Sequence, residues 1–442
     1  MAASKVLHTI EQHILVDGFK IVVDLDKSRG SYLQNSVDNR RLIDFYGFFG
    51  STPVGFNHPH FDDPQVQRDL LRAAKVKIAN SDIYSAGYAE FVATFERVVG
   101  LPPLQRYLFI EGGALAVENC LKAAMDWKVR KNMAAGHGER GTQILHFRRA
   151  FHGRSGYTMS LTNTDPRKTD LFAKFDWPRV SCPSIDFSLL ESKREADVIE
   201  REQKAEREIR DFIEQRNIDI CAIIIEPIQG EGGDNHFRGE WLQKLRKISD
   251  ENDILLIFDE VQCGMGRTGS LFAYTNYAVT PDILTTAKAL GNGYPIGAML
   301  TTSAIASAFS VGSHGTTYGG NPLAATVALS VLKTIDTPAF LARVKQASSK
   351  LIQALEAILR DYPQVFSEVR GSGLMLGMVL ADAYRGRAKE IAKCAEAQGL
   401  MVLIAGMDVL RLLPALIVSD AQIDEAGLLL RRALDEFLLA KQ

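Results

Sequence analysis

Cysteine is scarce in this chain, with five in 442 residues. Cys120, Cys182, Cys221, Cys263 and Cys394 are odd in number, lie far apart and form no CxxC pair, which excludes a disulfide framework and a paired-cysteine zinc site. That usage fits a reducing, cytoplasmic setting. An excess of charge is also missing. Lys+Arg of 51 against Asp+Glu of 53 gives a formal net charge of -2, so no chain-wide field draws the protein onto nucleic acid or an anionic membrane. The longest apolar runs, such as Ile254 to Phe258, fall far below the roughly 20 residues of a spanning helix. Glu11, Asp17 and Asp24 interrupt the apolar residues near the start, so export is not expected. Neither a fixed-period repeat nor a low-complexity stretch occurs.

What is present is material for a large core: 46% hydrophobic residues against 24% charged, enough for one sizeable domain and a smaller companion. Short apolar runs alternate with helical patterns. Tyr107–Ile110, Gln143–Phe147, Asp219–Ile225, Ile254–Phe258 and Asp282–Thr286 read as buried parallel strands of an α/β sheet, with functional residues at their C-terminal ends. The charge-dense stretch from Glu191 to Asn217 repeats Val198, Ala205, Ile209, Phe212 and Ile213 at helical spacing, the pattern of a solvated amphipathic helix. After Pro322 come the helices Leu323–Ile335 and Ala339–Arg360, the strand-like Ser367–Val379, and a strand around Met401–Leu403. This part reads as a smaller closing α+β domain.

Four places carry chemistry. Glu111-Gly112-Gly113-Ala114 leads from a strand into the helix Leu115–Lys131, whose first amides can hold a phosphate; the bland alternative is a tight turn. The strand Ile254–Phe258 runs into Asp259-Glu260-Val261-Gln262. Carboxylates at so apolar a strand end need partners: a cofactor's ring nitrogen, the start of a nearby helix that one of them caps, or Arg267. The strand Asp282–Thr286 is followed by Lys288 and by Gly291 and Gly293. A lysine so placed can attack an aldehyde, with the glycines letting backbone approach a bulky cofactor, although an ordinary surface lysine has the same spacing. Phe151-His152-Gly153-Arg154 offers an aromatic face and an arginine fork, and on its residues alone it reads equally as a glycine-punctuated surface loop. His152 has no metal-spaced or carboxylate neighbour in sequence and reads as a structural histidine, so no metal site is expected. Gly264-Met265-Gly266-Arg267-Thr268-Gly269 matches a dinucleotide fingerprint, but the gap before the first glycine and the poor helix after it favour an active-site loop.

Together and in this order, these pieces resemble the class III pyridoxal-phosphate aminotransferases of fold type I over nearly the whole chain. From Ile14 to about Phe258 the likeness is to the lysine 6-aminotransferases, carried by Leu15–Phe19, Glu111–Asn119, Phe151–Asn163, Lys174–Arg179 and Glu226–Phe237. From about Asp259 onward, Ala287–Pro295 and His314–Asn321 look like the acetylornithine and succinylornithine aminotransferases. The resemblance implies a large cofactor-binding domain over 63–325 with a central, mostly parallel sheet. It also implies a small α+β domain built from 1–62 and 326–442.

The same resemblance implies pyridoxal 5'-phosphate as cofactor, with Lys288 as the Schiff-base lysine and proton shuttle. Asp259 would face the pyridine nitrogen, Gln262 the ring hydroxyl and Phe151 the ring face. Gly113 and Ala114 would hold the phosphate, with Thr317 reaching it across a homodimer. Arg154 would take the donor's distant α-carboxylate and Arg411 the α-carboxylate of 2-oxoglutarate. Glu231 would mask Arg411 while an amine occupies the site, since a buried guanidinium left unpaired costs several kcal/mol. The expected activity is transfer of the ε-amino group of L-lysine to 2-oxoglutarate. The alternative donors are acetylornithine, succinylornithine and ornithine.

Overall fold

The computed structural model describes residues 1–76, 78 and 82–440. Its centre is a seven-stranded sheet in the order Arg106–Ile110, Gly297–Thr301, Ile283–Thr286, Leu255–Asp259, Ile220–Ile225, Gln143–Phe147, Arg179–Val180. Alternate side chains of the inner strands enter different cores, as a two-residue period demands. Ile223, Ile225, Leu256 and Phe258 pack under the helix Gly239–Glu251 through Trp241, Leu242, Leu245 and Ile248. Ile224 and Ile257 face Val117, Cys120, Leu121 and Ala124 of the helix Gly113–Ala134. Covering both faces is why these strands read as unbroken apolar runs.

One strand departs from the parallel expectation. Gly297–Thr301, not foreseen from sequence, lies antiparallel to both Ile283–Thr286 and Arg106–Ile110. The strand containing Tyr107–Ile110 therefore sits at the sheet edge and has no parallel partner. The other inner pairings are parallel.

A second, six-stranded sheet joins the chain's two ends in the order Tyr32–Gln34, Arg41–Phe45, Leu400–Ala405, Val409–Leu412, Met375–Leu380, Phe366–Ser372. Ser367–Val379, read as one strand-like stretch, is two antiparallel strands, because Gly373 at φ +62° turns the chain between them. The helices Pro338–Asp361 and Asp420–Leu439 bury Leu351, Leu355, Leu430 and Phe437 in this core. The helix Pro322–Ile335 packs instead in the large core, through Ala324, Ala328 and Val331. Its uniform apolarity told of burial but not of which core would receive it.

The charge-rich segment forms the helix Glu191–Arg216, which buries Val198, Ala205 and Ile209. Glu202 on its inner face is buried too, held by Arg238 through Nε at 2.9 Å and Nη2 at 2.7 Å. Among the described residues, no single helix is long and apolar enough to cross a membrane.

Candidate active site

A cavity of about 460 Å³ opens where the strands of the large sheet end. Its walls come from the ends of five strands and the segments just after them: Gly113 and Ala114, Phe151 to Ser155, Glu226 and Glu231, Asp259 with Val261 and Gln262, and Lys288. Carboxyl ends of parallel strands collect ligands because the chain there leaves the sheet in loops and fresh helix N-termini.

Asp259 is the last residue of its strand and only 4% exposed. Parallel register sets Thr285 beside it, and Thr285 Oγ1 donates to Oδ1 at 3.1 Å. The Val261 amide donates to the same oxygen at 3.0 Å. Oδ2 meets His152 Nδ1 at 2.7 Å, in a pair with both side chains buried. Burial opposes a charged imidazole, but Asp259 outweighs it and raises the His152 pKa. His152 thus has the carboxylate partner that its sequence neighbourhood did not reveal. Arg267 does not pair with Asp259; its Nη1 donates to the carbonyls of Leu374 and Pro414, clipping the Gly264–Gly269 loop to the second sheet. That loop is a tie between the two sheets and contributes nothing to the cavity wall.

Lys288 stands at φ +36°, a left-handed backbone that a residue with a Cβ adopts at a cost. Burial lowers its pKa and Arg411 adds to the effect, while Glu231, Asp259 and Glu226 pull the other way. The nearby glycines do not open the cavity: a Cβ at Gly291 would strike Ile296 Cγ2 at 2.8 Å, and Gly293 is exposed. The helix Gly113–Ala134 begins at Gly112, which offers no side-chain cap, so its first amides remain available on the side where Gly113 and Ala114 line the cavity. A Cβ at Gly113 would come within 2.8 Å of Val261 Cγ1. A Cβ at Gly153 would come within 2.6 Å of the Ala114 Cβ, which shows how closely the loop carrying Phe151 and Arg154 rides over the helix start.

Arg411 lies on the strand Val409–Leu412 of the second sheet and is fully buried. Its Nη1 contacts Glu231 Oε1 at 2.9 Å and Gln262 Oε1 at 3.4 Å, its Nε contacts Asp234 Oδ2 at 3.0 Å, and its Nη2 donates to the Gly230 carbonyl. Glu231 lines the cavity and Arg411 does not, so the carboxylate screens the guanidinium. Burial pushes the Glu231 pKa up, but Arg411 and Lys288 more than reverse this. Gln262 also donates from Nε2 to the Phe49 carbonyl at 3.0 Å, a link to the first sixty residues that sequence spacing could not show. Arg154 is exposed at the cavity edge. Thr317 is exposed and lies outside this chain's own cavity.

Residues missed in sequence are Glu226, Thr285 and Asp234. Glu226 accepts from the Phe151 amide at 2.9 Å and the Gly230 amide at 3.2 Å, and burial lifts its pKa to about 7. The spacing Glu226-Pro227-Ile228-Gln229-Gly230 carried the signal for a carboxylate closing its own loop.

Against known proteins, the family model described as aminotransferase class-III matches residues 16–434. The chain is 42% identical over 433 residues to an L-lysine-epsilon aminotransferase of Mycobacterium tuberculosis, covering 97% of this chain and 95% of that protein. It is 38% identical over 408 residues, 92% of each, to an acetylornithine/succinyldiaminopimelate aminotransferase of Yersinia pestis. A solved lysine aminotransferase from M. tuberculosis in the internal aldimine form superposes with a TM-score of 0.93 at 41% identity, covering 98% of this chain and 99% of that one.

Proposed function

Since the chain belongs to the class III aminotransferases, which use pyridoxal phosphate, we propose that it moves the ε-amino group of L-lysine to 2-oxoglutarate, giving L-glutamate and the 6-semialdehyde. The residues present fit the cofactor. Asp259 is a buried carboxylate fixed by three donors, and the uncapped helix start at Gly113 offers amides to a phosphate. When bound, pyridoxal phosphate supplies an electron sink that permits exchange of an amino group and a proton at the substrate carbon. Asp259 would keep the ring nitrogen protonated, Gln262 would meet the ring hydroxyl, and Phe151 would cover the ring face. Gly113 and Ala114 would hold the phosphate. In a homodimer, Thr317 would complete the partner's phosphate site, and a cytoplasmic setting suits the five free cysteines. The working division is a cofactor-holding unit over 63–325 and a small unit from 1–62 and 326–442, with Pro322–Ile335 docked on the former.

Lys288 Nζ would carry the proton between the amino-bearing carbon of the substrate and the C4′ position of the cofactor. Its lowered pKa leaves more of the amine unprotonated for that work. Arg154 at the cavity edge binds the carboxylate that lysine carries far from its reacting amine. The observation that carries the reading is Glu231 between the cavity and Arg411. With lysine in place, an uncovered Arg411 would repel the substrate's ammonium. With 2-oxoglutarate in place, Glu231 withdraws and Arg411 takes the α-carboxylate. A donor of the acetylornithine type is the second reading, supported by the Yersinia relative.

The test is glutamate formation from 2-oxoglutarate with L-lysine, L-ornithine and N-acetylornithine as competing donors. Lysine should lead in kcat/KM by about tenfold or more, roughly 1.4 kcal/mol of transition-state preference. Efficient use of N-acetylornithine with none of lysine overturns the proposal.

A further inference from the structure

Arg411 carries two acids, and only one of them reaches the cavity. Asp234 is 0% exposed, lies outside the cavity wall, and contacts Arg411 Nε through Oδ2 at 3.0 Å. Glu231 contacts Nη1 from the cavity side, with 14% of its side chain exposed.

The fold makes room for Asp234. Antiparallel pairing sets Gly377 directly across from Arg411, and a Cβ at Gly377 would stand 2.8 Å from Asp234 Oδ2. The missing side chain leaves the space that the carboxylate shares with Val409 Cγ1, itself 2.7 Å from that Cβ position. Gly233 at φ +119° and Asp234 at φ +51° turn the chain sharply so that an acid three residues after Glu231 comes back onto the same guanidinium. Nearby Arg370 contacts Glu368 at 3.1 Å and Asn235 at 3.4 Å, so Arg411 is the hydrogen-bonded cation of Asp234.

We propose that Asp234 is the permanent counter-ion and positioning residue of Arg411, leaving one carboxylate place on it that Glu231 and the 2-oxo acid fill in turn. The inference rests on the reading of Arg411 given under Proposed function. Asp234 holds Nε, and Gly230 through its carbonyl holds Nη2, so the guanidinium plane cannot turn when Glu231 leaves. Nη1 is then the nitrogen whose anionic partner changes. The exchange is like for like: Arg411, Asp234 and one further carboxylate sum to the same charge before and after. Without Asp234 the arginine would lose its side anchor, and Glu231 would be its sole counter-ion. An oxo acid would then meet a guanidinium that is neither aimed nor neutralised during the exchange.

The experiment uses the cofactor-loaded enzyme and two readouts: calorimetric binding of glutarate, a non-reacting dicarboxylate, and the separate half-reactions with L-lysine and with 2-oxoglutarate. D234N should weaken glutarate binding by about tenfold or more and raise the concentration of 2-oxoglutarate at half-saturation similarly. The lysine half-reaction should stay within about threefold, because Glu231 still covers Arg411. G377A, whose Cβ would press on the Asp234 carboxylate at 2.8 Å and on Val409 Cγ1 at 2.7 Å without changing any charge, should act in the same direction, and with V409A as the control for the second contact it decides the matter if D234N does not fold. Unchanged or tighter glutarate binding, or equal loss in both half-reactions, overturns the inference. R411M separates the two failures: if it binds glutarate like the wild type, the reading of Arg411 is wrong. If R411M loses binding while D234N keeps it, only the role of Asp234 falls.

Discussion

Replacing His152 tests how the protein holds Asp259, the carboxylate proposed to face the ring nitrogen of the cofactor. Asp259 is fixed by three donors: Thr285 Oγ1 at 3.1 Å, the Val261 amide at 3.0 Å, and His152 Nδ1 at 2.7 Å. The last is the shortest, joins two buried groups, and is the only one of the three that can carry a charge. A hydrogen bond to a charged group contributes about 1.5–3 kcal/mol. If the loss in H152A passes fully to the contact between Asp259 and the ring nitrogen, affinity for pyridoxal phosphate falls about 10- to 150-fold. H152N returns an N–H donor close to where Nδ1 stood and should recover most of the affinity. The assay is equilibrium titration of apoenzyme with pyridoxal phosphate followed by absorbance, with a thermal melt to show that each variant is folded. H152A binding the cofactor as tightly as wild type, with the same absorbance maximum, would refute the assignment of His152 as the support of Asp259.

Four further outcomes follow from the same geometry. If Lys288 is the proton carrier proposed above, K288A should lower kcat by about 10²–10⁴ through that function alone, as read in steady-state assays at saturating substrates. E231Q should weaken the lysine half-reaction about tenfold while leaving the 2-oxoglutarate half-reaction intact or stronger, the reverse of the pattern expected for D234N; equal loss in both would refute the screening role of Glu231. Burial raises Glu226 to about 7 and Glu260 to about 8, so the folded state holds protons there that an unfolded chain with ordinary glutamates releases. Stability from these groups is present at low pH and is lost as pH rises through 7 to 8, a range where buried His146 and His236, lowered to about 3 and about 4, are neutral in both states. The denaturation midpoint should therefore drop between pH 7 and 8.5, and E260Q should flatten that slope. R267M should destabilise by about 2–4 kcal/mol, because it strands the Leu374 and Pro414 carbonyls that its guanidinium joins across the two sheets; an unchanged midpoint in urea would contradict this.

By itself, the sequence determined the class of molecule and marked out the chain segments that come to line the cavity. Ile220–Ile225 and Leu255–Asp259 are legible as buried strands because a sheet covered on both faces needs apolar residues at every position, and that pattern is local. Lys288, Asp259 and Gly113 stand out for a related reason, since each ends a buried strand or lies within three residues of its end. The family resemblance added the cofactor and the aminotransferase class, and the family comparisons agree on both.

Tertiary structure decided whatever depends on neighbours distant in sequence. His152 and Asp259 are separated by 107 positions, and Arg411 and Asp234 by 177, so no window on the chain shows either pair. Nor could composition place the helix Pro322–Ile335, since an apolar helix satisfies either core, or the antiparallel strand Gly297–Thr301, whose direction is set by the strands beside it. Periodicity records which side of an element avoids water. Which residue waits on that side is settled when the strands choose their register, as when Gly377 pairs with Arg411 and leaves the space that Asp234 occupies.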